Sequence, residues 1–298
     1  MFPSQFEYHR ADSVEEAIEL KAENPETEIL AGGHSLLPTM KSGLANPGGL
    51  VDIGDIESLK GIDRRDGETE LGALTTYATI AQNEQLWADV TVLAEGAHEV
   101  GDIQVRNRGT IGGNIAHSDP ASDLPGAVLA ADATIHAQGP DGERDIAADD
   151  FFQGMYATDL AEDELLTGVR IPHQDEDTGS AYVKKPSPSS GYALVGVAAV
   201  LETDGDEVTS ARLAANGVMD HAVRLEPTED ALVGVSLDDE DGIEDAAQVA
   251  ADDLDEFMMM DDIQASAEFR TQLLHVFTRR AIEAAADRVG TTPEPEVV

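Results

Sequence analysis

Apolar and polar positions along this chain switch between two periods, and the switches mark its elements. Phe6-Glu7-Tyr8 reads as a short strand, and Ser13-Val14-Glu15-Glu16 is a capping box that opens a helix to about Ala22. Glu28-Ile29-Leu30-Ala31 and Leu50-Val51-Asp52-Ile53 are strands, the second ended by Gly54-Asp55. Thr69 to Leu74 is extended, Thr76 caps a helix through Gln82, and a longer helix covers about Val90 to Val100. A helix near Pro125 to Ala131 then precedes a strand at Thr134-Ile135-His136, a Gly139-Pro140-Asp141-Gly142 turn and a strand over Leu165–Ile171. From Gln174 to Ser180 the chain turns acidic and glycine-containing, which suits a domain boundary. Beyond it, Tyr192–Leu201, the Asp204-Gly205 turn and a strand around Val208–Ala215 form a hairpin. Helices are predicted near Glu229–Val233, Ile243–Phe257 and Ile263–Val289, followed by a proline-containing flexible tail. This irregular alternation gives an α+β or mixed α/β class.

Two glycine-rich stretches interrupt the pattern. Ala31-Gly32-Gly33-His34-Ser35-Leu36-Leu37-Pro38 and Thr110-Ile111-Gly112-Gly113-Asn114-Ile115-Ala116-His117 each pack paired glycines beside hydroxyl or amide side chains. Paired glycines let a backbone turn sharply and aim several N–H groups at one anion. Taken alone, Gly32-Gly33 fits a structural turn as well as a ligand loop. Neither stretch is a Walker motif or a Gly-x-Gly-x-x-Gly fingerprint.

Charge changes the picture more than hydropathy does. Across 298 residues, 60 acidic against 18 basic residues leave a net charge of −42. Such self-repulsion weakens a compact state in dilute buffer, and molar salt screens it. The chain therefore reads as adapted to a salt-rich cytoplasm, and it is expected to loosen when salt is withdrawn. Nucleic acid is a poor partner, because phosphate backbones need cationic footprints. With no cysteine, the chain can form no disulfide and supply no thiolate to a metal or iron–sulfur cluster. No apolar run spans a bilayer, and the opening Met1–Glu7 lacks the regions of a signal peptide, so a cytoplasmic location is expected.

The remaining candidates are weaker. His34 and His117 stand beside the glycine stretches, but no histidine or carboxylate spacing suits a metal. Asp123, after Pro120, reads as a cap or a hydroxyl acceptor. No nucleophile elbow is present, and Lys41 reads as a solvated surface residue. No catalytic residue and no metal ligand is assigned.

Ala31 to Lys41 followed by Leu50–Ile53, together with Thr110–His117, Asp119-Pro120-Ala121 and Asp123-Leu124-Pro125, closely resembles the two flavin-binding motifs of the molybdenum hydroxylases. The chain is similar across nearly its whole length to the FAD-binding medium subunit of the aerobic carbon monoxide dehydrogenase and xanthine dehydrogenase family. The resemblance implies an α+β fold with a two-subdomain FAD-binding domain of the vanillyl-alcohol oxidase/PCMH type. A smaller α+β domain like that of the carbon monoxide dehydrogenase flavoprotein C-terminus then follows. On this chain the FAD domain covers 1–177, with subdomains of about 1–55 and 56–177. The C-terminal domain covers 178–289, and 290–298 is a tail.

The resemblance also implies roles. Ala31, Gly32, Gly33, His34, Ser35 and Leu36, with Thr110, Ile111, Gly112, Gly113 and Asn114, cradle the FAD diphosphate. Asp123 accepts hydrogen bonds from cofactor hydroxyls, the backbone at Leu165–Leu166 borders the flavin, and Tyr192 covers the ring. Lys184 is the expected donor near the flavin N1 and C2 carbonyl. Between Lys184 and Tyr192 the sequence departs from the family, with Pro186-Ser187-Pro188-Ser189-Ser190-Gly191 where basic residues are common. With no cysteine here, [2Fe-2S] clusters are expected on a small subunit and molybdenum–pterin on a large one, in a dimer of heterotrimers. A stand-alone FAD oxidoreductase and a non-catalytic FAD-binding scaffold are the alternatives.

Overall fold

The computed structural model describes residues 2–291 and Pro293; except for Gly290, Thr291 and Pro293, the expected tail lies outside them. The first unit contains β1 (Glu7–Arg10), α1 (Val14–Glu23), β2 (Thr27–Leu30), α2 (Leu36–Ser42) and β3 (Gly49–Asp52). Its sheet has the order β1-β3-β2 with every pair parallel, so each connection must cross over the sheet. Helix α1 starts where expected because Ser13 Oγ accepts the Glu16 amide at 3.1 Å. Its buried face, Val14, Ala17 and Ile18, joins Val51 and Ile53 in a small core.

The second unit is built on β4 (Ile62–Arg65), β5 (Glu68–Gly72), β6 (Thr134–Gly139), β7 (Gly142–Ala147), the short hairpin β8 (Phe152–Gly154) and β9 (Ala157–Thr158), and β10 (Leu165–Pro172). Its antiparallel sheet runs β4-β5-β10-β6-β7. Against it pack α3 (Tyr77–Ala81), α4 (Glu84–Asp89), α5 (Thr91–Glu99), α6 (Ile103–Arg106), α7 (Ile111–His117), α8 (Asp123–Ala130) and α9 (Ala148–Phe151).

The third unit carries the antiparallel sheet β11 (Thr178–Pro186), β12 (Ala193–Asp204), β13 (Glu207–Asn216) and β14 (Val223–Arg224), with α10 (Glu226–Leu232), α11 (Glu240–Gln248) and α12 (Ala267–Ala286). Its strands alternate as period-two strands should. Tyr182, Ala198 and Ala214 join the core of the second unit, while Ala181, Val197, Ala199 and Ala215 join the core beneath α12. Arg288 beyond α12 forks onto Glu95 of α5 and ties the last helix back to the second unit.

Several elements differ from the sequence reading. The acidic stretch up to Ser180 is already strand from Thr178. The single helix expected over Ile243–Phe257 ends at Gln248 and is followed by turns and a 3-10 turn at Glu256–Met258. Acids at 252, 253 and 255 oppose a helix C-terminus, and Asp255 instead accepts the Phe257 amide at 3.0 Å. The last helix begins at Ala267 rather than Ile263, because Asp262 Oδ1 first closes a turn on the Gln264 and Ala265 amides. Ser266 then caps the helix. Both glycine stretches, read as loops, run into short helices, α2 and α7.

Candidate functional site

The first and second units enclose a cleft of about 990 Å³. The glycines explain how closely its walls approach. A Cβ on Gly32 would lie 2.2 Å from the Arg108 carbonyl oxygen and 2.9 Å from Gly109 Cα, so only glycine allows the two stretches to meet there. Gly33 follows at φ +72°, turning the chain into α2.

The amides of this first stretch are its chemical asset. Among the described residues, those of Ala31 through Leu36 donate to no carbonyl or side chain; the first amide with a partner is Leu37, which reaches Gly33 O at 3.2 Å. Ser35 occupies the N-cap position of α2 but makes no side-chain cap. A run of unpaired donors on a cleft wall, at a helix start, is an anion-binding surface that needs no lysine or arginine.

The second stretch uses its amides differently. The amides of Ile111, Gly112, Gly113 and Asn114 were expected to face the same anion. Ile111 instead donates to Thr75 O at 3.0 Å, Gly112 to Ala73 O at 2.8 Å, Gly113 to Thr110 Oγ1 at 3.2 Å and Asn114 to Thr110 O at 3.0 Å. Thr110 is therefore a helix cap, and Gly112 is a packing residue whose Cβ would meet that of Ala73 at 2.5 Å. What this wall offers the cleft is close approach.

The cleft lining includes Ala31, Gly32, Gly33, His34, Ser35, Leu36, Thr110, Gly112, Gly113 and Leu166. It does not include Ile111, which is buried in the core, or Asn114, whose amide bridges Tyr77 Oη and Ser122 Oγ. Asp123 and Lys184 also lie outside it, as a buried ion pair at 3.0 Å with side chains 5% and 2% exposed. Lys184 Nζ also donates to Glu99 O at 2.6 Å and Gly191 O at 3.0 Å, which uses all three of its protons. Asp123 Oδ1 accepts from Tyr182 Oη at 2.6 Å, and Tyr182 Oη in turn accepts from Asn216 Nδ2 at 3.0 Å. The resemblance implies Lys184 as a donor to the flavin and Asp123 as an acceptor of cofactor hydroxyls; here the Lys184 protons go to Glu99, Asp123 and Gly191, and Asp123 accepts from Tyr182 and Lys184. Burial pushes the Asp123 carboxyl up, against the pull of the Lys184 ammonium.

Tyr192 stands just past Gly191 (φ +78°), half exposed and outside the lining proper. Burial and the negative charge of Asp119 raise its phenol, and it lies within electrostatic reach of Ser35 and Tyr156. Sequence reasoning missed Tyr77, Tyr156 and Glu164 as cleft residues. None carries a local signal: Tyr77 reads as helix core, and Glu164, held below the usual carboxylate range by Arg144, as surface charge. Among the described residues no cluster suits a metal ion, and no helix is long and apolar enough to cross a membrane.

Comparison with known proteins agrees along nearly the whole chain. Residues 4–174 match the family described as FAD binding domain in molybdopterin dehydrogenase, and 180–285 match the CO dehydrogenase flavoprotein C-terminal domain. The chain is 37% identical to the carbon monoxide dehydrogenase medium chain of Hydrogenophaga pseudoflava, over 96% of this chain and 98% of that one. It is 34% identical to the glyceraldehyde dehydrogenase medium chain of Sulfolobus acidocaldarius, over 96% and 100%. Its fold superimposes on a solved carbon monoxide dehydrogenase of H. pseudoflava with a TM-score of 0.92 at 37% identity, covering 97% of this chain and all of that one. Quinoline 2-oxidoreductase from Pseudomonas putida 86 gives 0.90 at 32% identity, with the same coverage. Unpaired donors, a glycine contact that closes two units on one cleft, and these matches converge: the chain belongs to the FAD-binding medium subunits of the carbon monoxide dehydrogenase and xanthine dehydrogenase family of oxidoreductases.

Proposed function

We propose that the cleft holds FAD with its diphosphate on the amides of Ala31–Leu36, and that the chain relays electrons through it to an external acceptor. The electrons would come from [2Fe-2S] clusters on a small partner subunit, fed by a molybdopterin-binding large subunit, in a dimer of heterotrimers. The observation that carries the cofactor assignment is the run of amides without acceptors. A diphosphate supplies the oxygens they lack, and each charge-assisted bond is worth about 1.5–3 kcal/mol. The reading also fits the absence of cysteine from the sequence, which leaves the clusters to another chain. FAD supplies one- and two-electron chemistry when bound, and the protein supplies placement and electrostatics.

The residues of this chain then act as follows. Gly32 lets the first unit close on Arg108-Gly109, and Thr110 fixes α7 as the opposite wall. Lys184 works at one remove: by holding the Gly191 carbonyl it sets where Tyr192 stands at the mouth. On this reading 1–177 is the FAD-binding part and 178–289 the C-terminal domain.

The test is direct. The full chain, purified in molar KCl, should take up FAD and show flavin absorbance, and chains rich in iron and molybdenum should co-purify from its source. A colourless protein that refuses FAD under those conditions would sink the assignment.

A further inference from the structure

Tyr156 is one of the non-glycine residues in the left-handed region, at φ +57°. An L-residue there crowds its Cβ against the backbone, and an aromatic gains nothing locally in return. Such strain persists only when surrounding contacts over-determine it, and it gathers at ligand clamps. The contacts are visible. The Tyr156 amide donates to Ser118 O at 3.1 Å, and Ser118 Oγ donates to Gly154 O at 3.2 Å. Ser118 is itself buried and left-handed, at φ +48°. The end of α7 and the β8–β9 turn thus lock each other.

The lock does not bury the ring. Tyr156 is 57% exposed, yet its ring lies 4.9 Å from that of His117, tilted by 32°, and both residues line the cleft. Burial lowers the His117 imidazole, which favours the neutral ring as a stacking partner. Tyr192 stands at the same end. A fixed, exposed, backed aromatic face in a cleft is a platform for another flat ring.

We propose that Tyr156, held left-handed by Ser118 and backed by His117, is a ring-gripping residue whose phenol face forms one wall of the slot for the planar end of the cofactor. The inference rests on the FAD reading and assigns the isoalloxazine to the Tyr156–Tyr192 end of the cleft. It gives the strain at Tyr156 a purpose, since a glycine would occupy the same backbone without cost and without a ring.

Tyr156→Gly, Tyr156→Asn and Tyr156→Phe separate this role from a structural one, because Gly and Asn both tolerate the left-handed backbone. With the full chain in molar KCl, the apo unfolding midpoint of Tyr156→Gly should stay within about 3 °C of wild type, since relieved strain offsets lost packing. Its FAD dissociation constant should rise about three- to tenfold, the worth of one aromatic contact. Fluorescence of the bound flavin should rise as its ring loses a stacking partner. Tyr156→Asn should behave like Tyr156→Gly, and Tyr156→Phe like wild type. Unchanged affinity and fluorescence in Tyr156→Gly and Tyr156→Asn, beside a wild type that binds FAD, would overturn the inference alone. Failure of the wild type to bind FAD would instead overturn the cofactor assignment beneath it.

Discussion

The two walls of the cleft carry the same glycine pair and use it in opposite ways. On the first wall, Gly32-Gly33 precedes a run of amides with no acceptor among the described residues. On the second, Gly112-Gly113 sits in a helix start whose amides from Ile111 to Asn114 are all taken, beside an ion pair whose ammonium has no proton to spare. One wall keeps donors without partners; the other has spent its own within the fold. The difference teaches that a glycine pair reports close backbone approach, and that its donors are free only where nothing in the fold has claimed them.

The severest way to break the comparison is to attack the finished wall. Lys184→Met leaves Asp123 buried without its cation and should cost about 3–5 kcal/mol, measured by denaturant unfolding at pH 8. Because the folded Asp123 carboxyl is raised, the folded chain holds that proton more tightly than the unfolded chain does. The stability of the variant should therefore fall as pH rises from about 4, the ordinary carboxyl value, through the raised one. A variant equally stable at pH 5 and pH 8 would contradict the ion pair. Gly112→Val, which drives a Cβ into Ala73, should cost about 2–3 kcal/mol, and any loss of FAD should track unfolding.

The sharper comparison uses two variants of similar modest cost. Gly33→Ala forces an L-residue to φ +72° and should lose about 1–2 kcal/mol. It re-aims the open amides, so FAD affinity should drop tenfold or more, as a lost charge-assisted bond requires. Thr110→Val removes the cap of α7 and should also cost about 1 kcal/mol, but should change FAD affinity less than about threefold. Isothermal titration on the pair is the measurement. Equal losses of affinity would erase the distinction between the walls.

Much of the architecture was legible because its causes are local. The Ser13 cap, the apolar run of β12 and the Asp204-Gly205 turn each act within a few residues. The elements that went unread have weak local patterns. Helix α7 carries two glycines, poor helix formers, in its first turn, and stands because Thr110 caps it and Ala73 and Thr75 take its amides. The end of α11 was overrun because alanine and valine continue the helical period through Ala251, while the acids after it favour turns.

The candidate site divides along the same line. The sequence by itself determined that two glycine-rich motifs exist, that no thiolate is available, and that an extreme negative charge leaves anion binding to main-chain donors. Through its two long motifs it also determined the family. Only the tertiary structure decided which pair keeps its donors, that Lys184 and Asp123 satisfy each other, and that Tyr156 presents a strained ring beside His117. The reason is physical. A residue's capacity to hydrogen-bond is written in its own chemistry, but whether that capacity is already spent depends on what the fold brings within 3 Å of it, often from a hundred residues away.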